Sequence, residues 1–366
     1  MKKIDTVHHG WVHEGTGREA VLREQLPGDI GARETAGHGS ESRHDVSAAP
    51  KLARVSYEHT SLSFDAAVAP VLTVDQGEQF WMDARSLLTG GLFERTGEYE
   101  KLSIPVTGPI AVRGVKPGDL LRVDIHEIRI ADRGAMVTMP GRGGFSGGLG
   151  RAGQALEIVD GHVVFDDGIT VPVRPMVGKI GVAPVGERPN SSTVGIHGGN
   201  MDCKDVMAGA AVVLPVQVDG AMLYAGDLHA AQGDGECCLT AVEVEGSVRL
   251  SCRVVTDPLV SGSVKSDGDT RRPVVLSGGQ VITIGDGDSL DEAARLALDD
   301  MLALLQADRG WSREKTAMLL SAAADVSVSQ LVNARMSAKV TLASRYFRTA
   351  PFALPSSDTN AQVSNV

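Results

Sequence analysis

The stretch LEIVDGHVVF, residues 156–165, decides how the chain is read. Two apolar, β-branched runs meet at Asp160-Gly161, and Asp-Gly tolerates the positive φ angles that a two-residue hairpin turn demands. The device recurs at Asp219-Gly220 in VVLPVQVDGAMLYAGD (212–227) and, more weakly, at Glu245-Gly246 in AVEVEGSVRLSCRV (241–254). Upstream, APVLTVDQGEQFWMDARS (69–86) reads as strand, turn about Gly77, strand. Hairpins at this density predict a mostly β fold whose body is an antiparallel, hairpin-rich sandwich or barrel rather than a doubly wound sheet.

Helical spacing appears only late. DSLDEAARLALDDMLALLQ (288–306) opens with Ser289 and Glu292 in capping-box register and repeats apolar residues at Leu290, Ala294, Leu298, Met301 and Leu305. SREKTAMLLSAAAD (312–325) predicts a second helix, and SAKVTLA (337–343) a following strand. The expected organisation is a polar extension over 1–50, a β-rich body over 51–270 carrying the site, and an α+β lobe over 271–366. The extension, with PGDIGARETAGHGSESRHD at 27–45, has no sustained period and no core of its own. Its His8, His9, His13, His38 and His44 are too irregularly spaced for a metal site.

The 366 residues are 42% apolar but only 4% aromatic, so the core must be built from Val, Leu, Ala and Ile. A net charge of −11 argues against nucleic acid or an anionic membrane as partner. No apolar run is long enough to span a bilayer, and Lys2 and Lys3 are not followed by the apolar segment of a secretory signal. The four cysteines, Cys203, Cys237, Cys238 and Cys252, lack C-x-x-C spacing, which predicts a reduced, cytoplasmic compartment. PGRGGFSGGLG (140–150) lacks phosphate-loop register and is expected to be a flexible loop near a pocket.

Chemistry concentrates in two places. GIHGGNMDCKDVMAG (195–209) crowds His197, Asn200, Asp202, Cys203, Lys204 and Asp205 among glycines. YAGDLHAAQGDGECCLTAVE (224–243) offers Asp227, His229, Asp234, Glu236 and Glu243. If Asp219-Gly220 closes a hairpin between them, the two clusters meet at its open end, with Asp202, His229 and Asn200 facing one pocket. A histidine with carboxylates is the ligand set of a catalytic zinc site. Alternation in LTAVEVEG places Glu243 opposite Val242 and Val244, where it is exposed, a ligand or a base. The bland alternative is an Asp that caps its own turn and a His that is merely hydrogen-bonded.

The run HGGNMDCKDVMAGAAVVLPVQVDGAMLYAGDLHAAQGDGECCLTAVEVEG (197–246) resembles the core signature of the acetamidase/formamidase family, with its GGN-x-D and G-D-x-H-x-x-Q-G-D-G-E elements. The likeness extends to VLTVDQGEQFWMDARSLLTGG, IPVTGPIAVRGVKPGDLLRVDI and MVGKIGVAP upstream, and to GWSREKTAMLLSAAADVSVSQLVN downstream. It implies a mostly β body with an α+β C-terminal part, and hydrolysis of a short aliphatic amide to carboxylate and ammonia with a divalent metal, zinc being expected. It also implies a homo-oligomer. Position by position, Asn200 and Asp202 match the first element, His229, Asp234 and Glu236 the second, Glu243 the later Glu, and Asp83 the upstream Asp. Ile104 stands where the family often has Asn, Cys237-Cys238 replace a Val-x pair, and residues 1–50 have no counterpart.

The resulting expectation is that Asp83, Asp202 and His229 hold zinc, that Asn200 helps to stabilise the oxyanion, and that Glu236 or Glu243 shuttles the proton. Two alternatives stand beside it. One is a thiol amidase using Cys203 with Lys204 and Glu236, although neighbours on an extended chain face opposite ways. The other is a non-catalytic β-rich module that binds metal or ligand.

Overall fold

The computed structural model describes residues 52–86, 104–255 and 272–349, and the expectations for 1–50 lie outside them. The strands are β1 (Ala53–Val55), β2 (Thr60–Ser61), β3 (Leu72–Val74), β4 (Gln79–Ala84), β5 (Val106–Val112), β6 (Leu120–Thr138), β7 (Ala152–Val159), β8 (His162–Asp166), β9 (Ile169–Pro172) and β10 (Met176–Val182). There follow β11 (Val194–Gly195), β12 (Gly198–Asn200), β13 (Ala211–Pro215), β14 (Leu223–His229), β15 (Glu243–Val254), β16 (Val274–Ser277) and β17 (Gln280–Gly287). Two helices, α1 (Leu290–Arg309) and α2 (Arg313–Ala323), precede β18 (Asp325–Gln330) and β19 (Met336–Ala343). Pairing is antiparallel except for β1 with β4 and β3 with β5. The fold is therefore the expected one: mostly antiparallel sheet, with two helices late in the chain.

Asp160 (φ 49°) and Gly161 (φ 73°) close the β7–β8 hairpin, with Ile158 opposite Val163. The other two hairpin expectations fail. β13 pairs with β6 and β16, whereas β14 pairs with β5, β10 and β15. The connection through Asp219-Gly220 docks instead on the turn between β5 and β6. There Gly220 N donates to Val115 O at 2.9 Å and Gly118 N to Val216 O at 2.9 Å. Ala221 (φ 62°) and Met222 (φ 55°) then steer the chain away from β13. Glu245-Gly246 lies inside β15, as an irregularity in its register with β6. A Cβ at Gly246 would lie 2.1 Å from Arg129 O, so here glycine admits a neighbouring strand rather than a turn.

The main apolar cluster runs through β4, β5, β6, β10, β13, β14 and β15, on residues such as Phe80, Ile110, Val123, Ile180, Leu214, Leu228 and Leu250. A second cluster joins α1 to β17 and β19 through Ala297, Met301, Leu305, Val281, Val340 and Leu342. Ser289 caps α1 by accepting from Glu292 N at 3.2 Å, while Glu292 Oε2 accepts from Asp288 N at 2.9 Å, so the capping box closes one residue upstream. The buried stripe of α1 begins at Ala293 and Ala297, not at Leu290, Ala294 and Leu298. Gly285 of β17 is the reason: a Cβ there would meet Ala293 O at 2.0 Å, so small residues must ride over it.

Candidate active site

β10 brings the two polar stretches together. It pairs antiparallel with β12 on one side, Lys179 opposite Asn200, and with β14 on the other, Met176 opposite His229. The clusters thus meet as expected but across a third strand, not around a hairpin. Just past β12, Asp202 N donates to Gly178 O at 3.1 Å. A Cβ on Gly178 would lie 2.7 Å from Asp202 Oδ1 and 2.9 Å from His229 Cε1. Only glycine lets that carboxylate and that ring share the space over β10.

Four carboxylates converge there: Asp202, Asp227, Glu236 and Glu243, all buried, with His229 and Lys179 also buried. Asp202, His229 and Glu236 offer ligand atoms within 4.8 Å of one another, and so do Asp227, His229 and Glu243. His229 Nε2 lies 3.2 Å from Glu243 Oε2 and 3.7 Å from Asp227 Oδ2. Ala241 N donates to both Glu236 Oε1 (3.0 Å) and Glu243 Oε1 (3.1 Å), which fixes one oxygen of each. Asp202 Oδ1, Asp227 Oδ1, Glu236 Oε2, Glu243 Oε2, Asn200 Oδ1 and His229 Nε2 remain buried without a hydrogen bond. Orphaned polar atoms are costly when scattered, and a group that converges on one place calls for a bound cation or protons.

The backbone carries strain at the same place. Asp202 (φ 44°), Asp227 (φ 57°) and Glu236 (φ 45°) are all in the left-handed region, which costs a non-glycine residue roughly 1 kcal/mol or more. The turn holding Glu236 is braced from outside: Gly235 N donates to Ser329 O at 3.0 Å, and Leu331 N to Gly235 O at 3.2 Å. The glycine-rich loop lies against that turn, with Gly144 N donating to Cys237 O at 2.8 Å.

Charge balance within the cluster is one-sided. Lys179 is its single permanent cation among the described residues, donating to Ile104 O at 2.9 Å and lying 3.3 Å from Asp227 Oδ2. Burial would raise the Asp227 carboxyl, but Lys179 and His229 outweigh it and hold the group below the usual carboxylate range. For Asp202 the balance reverses: burial pushes it up to about 7, against the pull of His229 and Lys179. Burial, then the nearby Asp202 charge, drives Glu236 well above the usual range, and burial raises Glu243. For His229, burial favours the neutral ring, yet Glu243 and Asp227 draw its pKa well above the ordinary imidazole value. One imidazole with three or more carboxylates, short of positive charge, is a donor set that fits a divalent cation.

Other expected site residues lie elsewhere. Asp83 joins neither acidic group; Arg54 holds its carboxylate through Nη2–Oδ1 at 2.6 Å and Nε–Oδ2 at 3.1 Å. It lines an open cavity of about 370 Å³ with Arg54, Tyr57, Arg129 and Glu245. Asp234 pairs with Lys204 (2.9 Å) and Lys339 (2.7 Å), and Asp205 with Lys339 (2.6 Å). Cys203 is buried, its Sγ reaches Asp205 Oδ2 at 3.7 Å, and burial pushes its thiol up to about 12. That environment opposes a thiolate nucleophile. Sequence reasoning passed over Gly178 and Lys179; a lysine inside the otherwise apolar MVGKIGV was the available signal.

Residues 182–343 match the family model described as Acetamidase/Formamidase family. A predicted acetamidase/formamidase from Thermoanaerobacter tengcongensis superposes with a TM-score of 0.72 at 33% identity, covering 79% of this chain and 95% of that one. The acetamidase of Bacillus halodurans gives 0.71 at 33% identity, covering 80% and 98%. A 100-residue stretch is 33% identical to the formamidase of Methylophilus methylotrophus, 27% of this chain and 24% of that protein. Identity at this level over nearly the full length of the solved structures, with Asp202, His229, Glu236 and Glu243 of the motifs gathered into one buried cluster, establishes that the chain belongs to the acetamidase/formamidase family.

Proposed function

We propose that the chain hydrolyses a short aliphatic amide, of the formamide or acetamide kind, to a carboxylate and ammonia, and that the reaction takes place at the cluster around His229. The observation that carries the reading is the convergence of orphaned carboxylate oxygens on His229 Nε2 in a buried space short of positive charge. Asp202, His229 and Glu236 would hold a divalent cation, zinc being the best match to a mixed nitrogen and oxygen set. When bound, such a cation supplies Lewis-acid stabilisation of negative charge on oxygen.

The chain's own residues do the rest. Glu243, with one oxygen fixed by Ala241 N and the other free, accepts the proton of the attacking water and returns it to the departing nitrogen. Amides resist hydrolysis because that nitrogen leaves poorly, so the returned proton matters as much as the nucleophile. Asn200, opposite Lys179 in the β10–β12 register, orients the substrate carbonyl in this reading. Lys179 keeps Asp227 ionised, and the apolar walls exclude competing water.

The test is ammonia release from formamide, acetamide and propionamide by protein stripped with a chelator and then restored with zinc. Release that returns with the metal is the expected result and ranks acyl-chain length. Release unaffected by stripping would discard the metal; none under any condition would discard this substrate class. A soluble cytoplasmic homo-oligomer is the accompanying expectation, checked by fractionation and by mass in solution; no helix among the described residues is long and apolar enough to cross a membrane.

A further inference from the structure

Three residues beyond His229, Gln232 spans the gap between the two polar stretches. Its Nε2 donates to Asp202 O at 2.6 Å and toward Ser329 O at 3.4 Å. Both partners are carbonyl oxygens and can only accept, so the nitrogen end of the amide is fixed on that side. The oxygen end must then face His229, and Oε1 lies 2.8 Å from Nδ1. An amide oxygen also can only accept. Nδ1 therefore carries a proton, and Nε2 is the nitrogen turned toward Glu243 and Asp227, the one whose lone pair becomes available when the ring is neutral.

We propose that Gln232 is the positioning residue of this site. One amide sets the tautomer and aim of His229 and ties it to the backbone that carries Asp202 and to the end of β18 at Ser329. The inference rests on the metal-holding role given above to Asp202 and His229. The oxygen end sets the ring tautomer and the nitrogen end braces the backbone around Asp202, so the two contacts can be lost separately. A partner on the far ring nitrogen fixes ligand orientation and raises its basicity, and such partners typically contribute 10–100-fold in metal affinity.

The two ends of the amide can be separated by experiment. Full-length protein stripped with a chelator is titrated with Co²⁺, read by visible absorption, and its thermal midpoint is measured alongside. Gln232→Leu loses both ends, and its cobalt affinity is expected to fall about 10–100-fold. Gln232→Glu still accepts from Nδ1 but no longer donates to Asp202 and Ser329. It should keep cobalt affinity near wild type while its thermal midpoint drops with that of Gln232→Leu. Should Gln232→Leu fail to fold, Gln232→Asn, a methylene too short to reach both sides, replaces it with the same expectation. Wild-type affinity in the leucine variant, or equal weakening in leucine and glutamate variants, would overturn the positioning role alone. A wild-type protein that binds no cobalt would instead overturn the metal reading, and this role with it.

Discussion

Two acidic clusters lie almost side by side and are built from the same two stretches of chain. Asp205 and Asp234 face Lys204 and Lys339 at 2.6–2.9 Å, so each acid has a cation. Asp202, Asp227, Glu236 and Glu243 share Lys179 and an imidazole, and each keeps an oxygen without a hydrogen bond. Three positions separate Asp202 from Asp205, and two separate Asp234 from Glu236. Residue type and locality therefore do not distinguish the groups. What does is the local count of positive charge: a saturated cluster is finished, whereas a cation-poor one has room for something to bind.

The contrast can be broken most severely at His229, which both ligand groups share. His229→Ala should abolish metal retention and amide hydrolysis together; full turnover in that variant would discard the site. Glu243→Gln should lower kcat about 10²–10⁴-fold while metal content holds, as expected for a proton carrier. Its stability should stay level or rise, because one of four crowded buried charges is gone. If Glu243→Gln loses metal and Glu236→Gln keeps it, the roles of the two glutamates are exchanged.

Lys339→Met attacks the saturated cluster and should do the reverse. It leaves Asp205 without its cation and Asp234 with only Lys204. Because those carboxylates are 25% and 29% exposed, the loss should be about 3 kcal/mol, the low end for a broken buried pair, measured by denaturant unfolding.

His197 lies outside both clusters and tests burial without charge pairing. Burial holds its imidazole down to about 4. Between the ordinary value near 6.5 and about 4, the unfolded chain binds a proton that the folded ring refuses. Folding stability should therefore fall as pH is lowered through that window, by up to about 3 kcal/mol from this group. His197→Gln should flatten the slope, and an unchanged slope would remove the assignment. The smallest effect is expected for Cys203→Ala, which should keep its turnover and lose roughly 1 kcal/mol from a small cavity.

Local signals in the sequence translated faithfully. The Asp160-Gly161 hairpin, the Ser289 cap, a second helix within 312–325 and the strand over 337–343 are all present, because each depends on a few neighbouring residues. Long-range partners did not follow from the same signals. Asp219-Gly220 carries hairpin chemistry, yet β13 and β14 have better-matched partners, and burial of both faces overrode the turn. The site was legible in its residue types but not in its assembly. Periodicity cannot show that β10 is the shared neighbour, that Gly178 must be bare, or that Arg54 is beside Asp83.

The outer wall of both clusters comes from the end of the described chain. Ser329 accepts from Gly235 N and Gln232, Asn333 Nδ2 lies 3.5 Å from Asp202 Oδ2, Ser337 Oγ donates to Met201 O, and Lys339 joins Asp205 to Asp234. During synthesis the acids emerge first; at about 5–20 residues per second, their braces follow roughly ninety residues and 5–20 s after Glu243. A nascent chain on the ribosome thus holds every acid of the cluster before it holds the residues that brace it from outside. A chain cut short before β18 would have the charges of the cluster without the braces that Ser329, Ser337 and Lys339 supply.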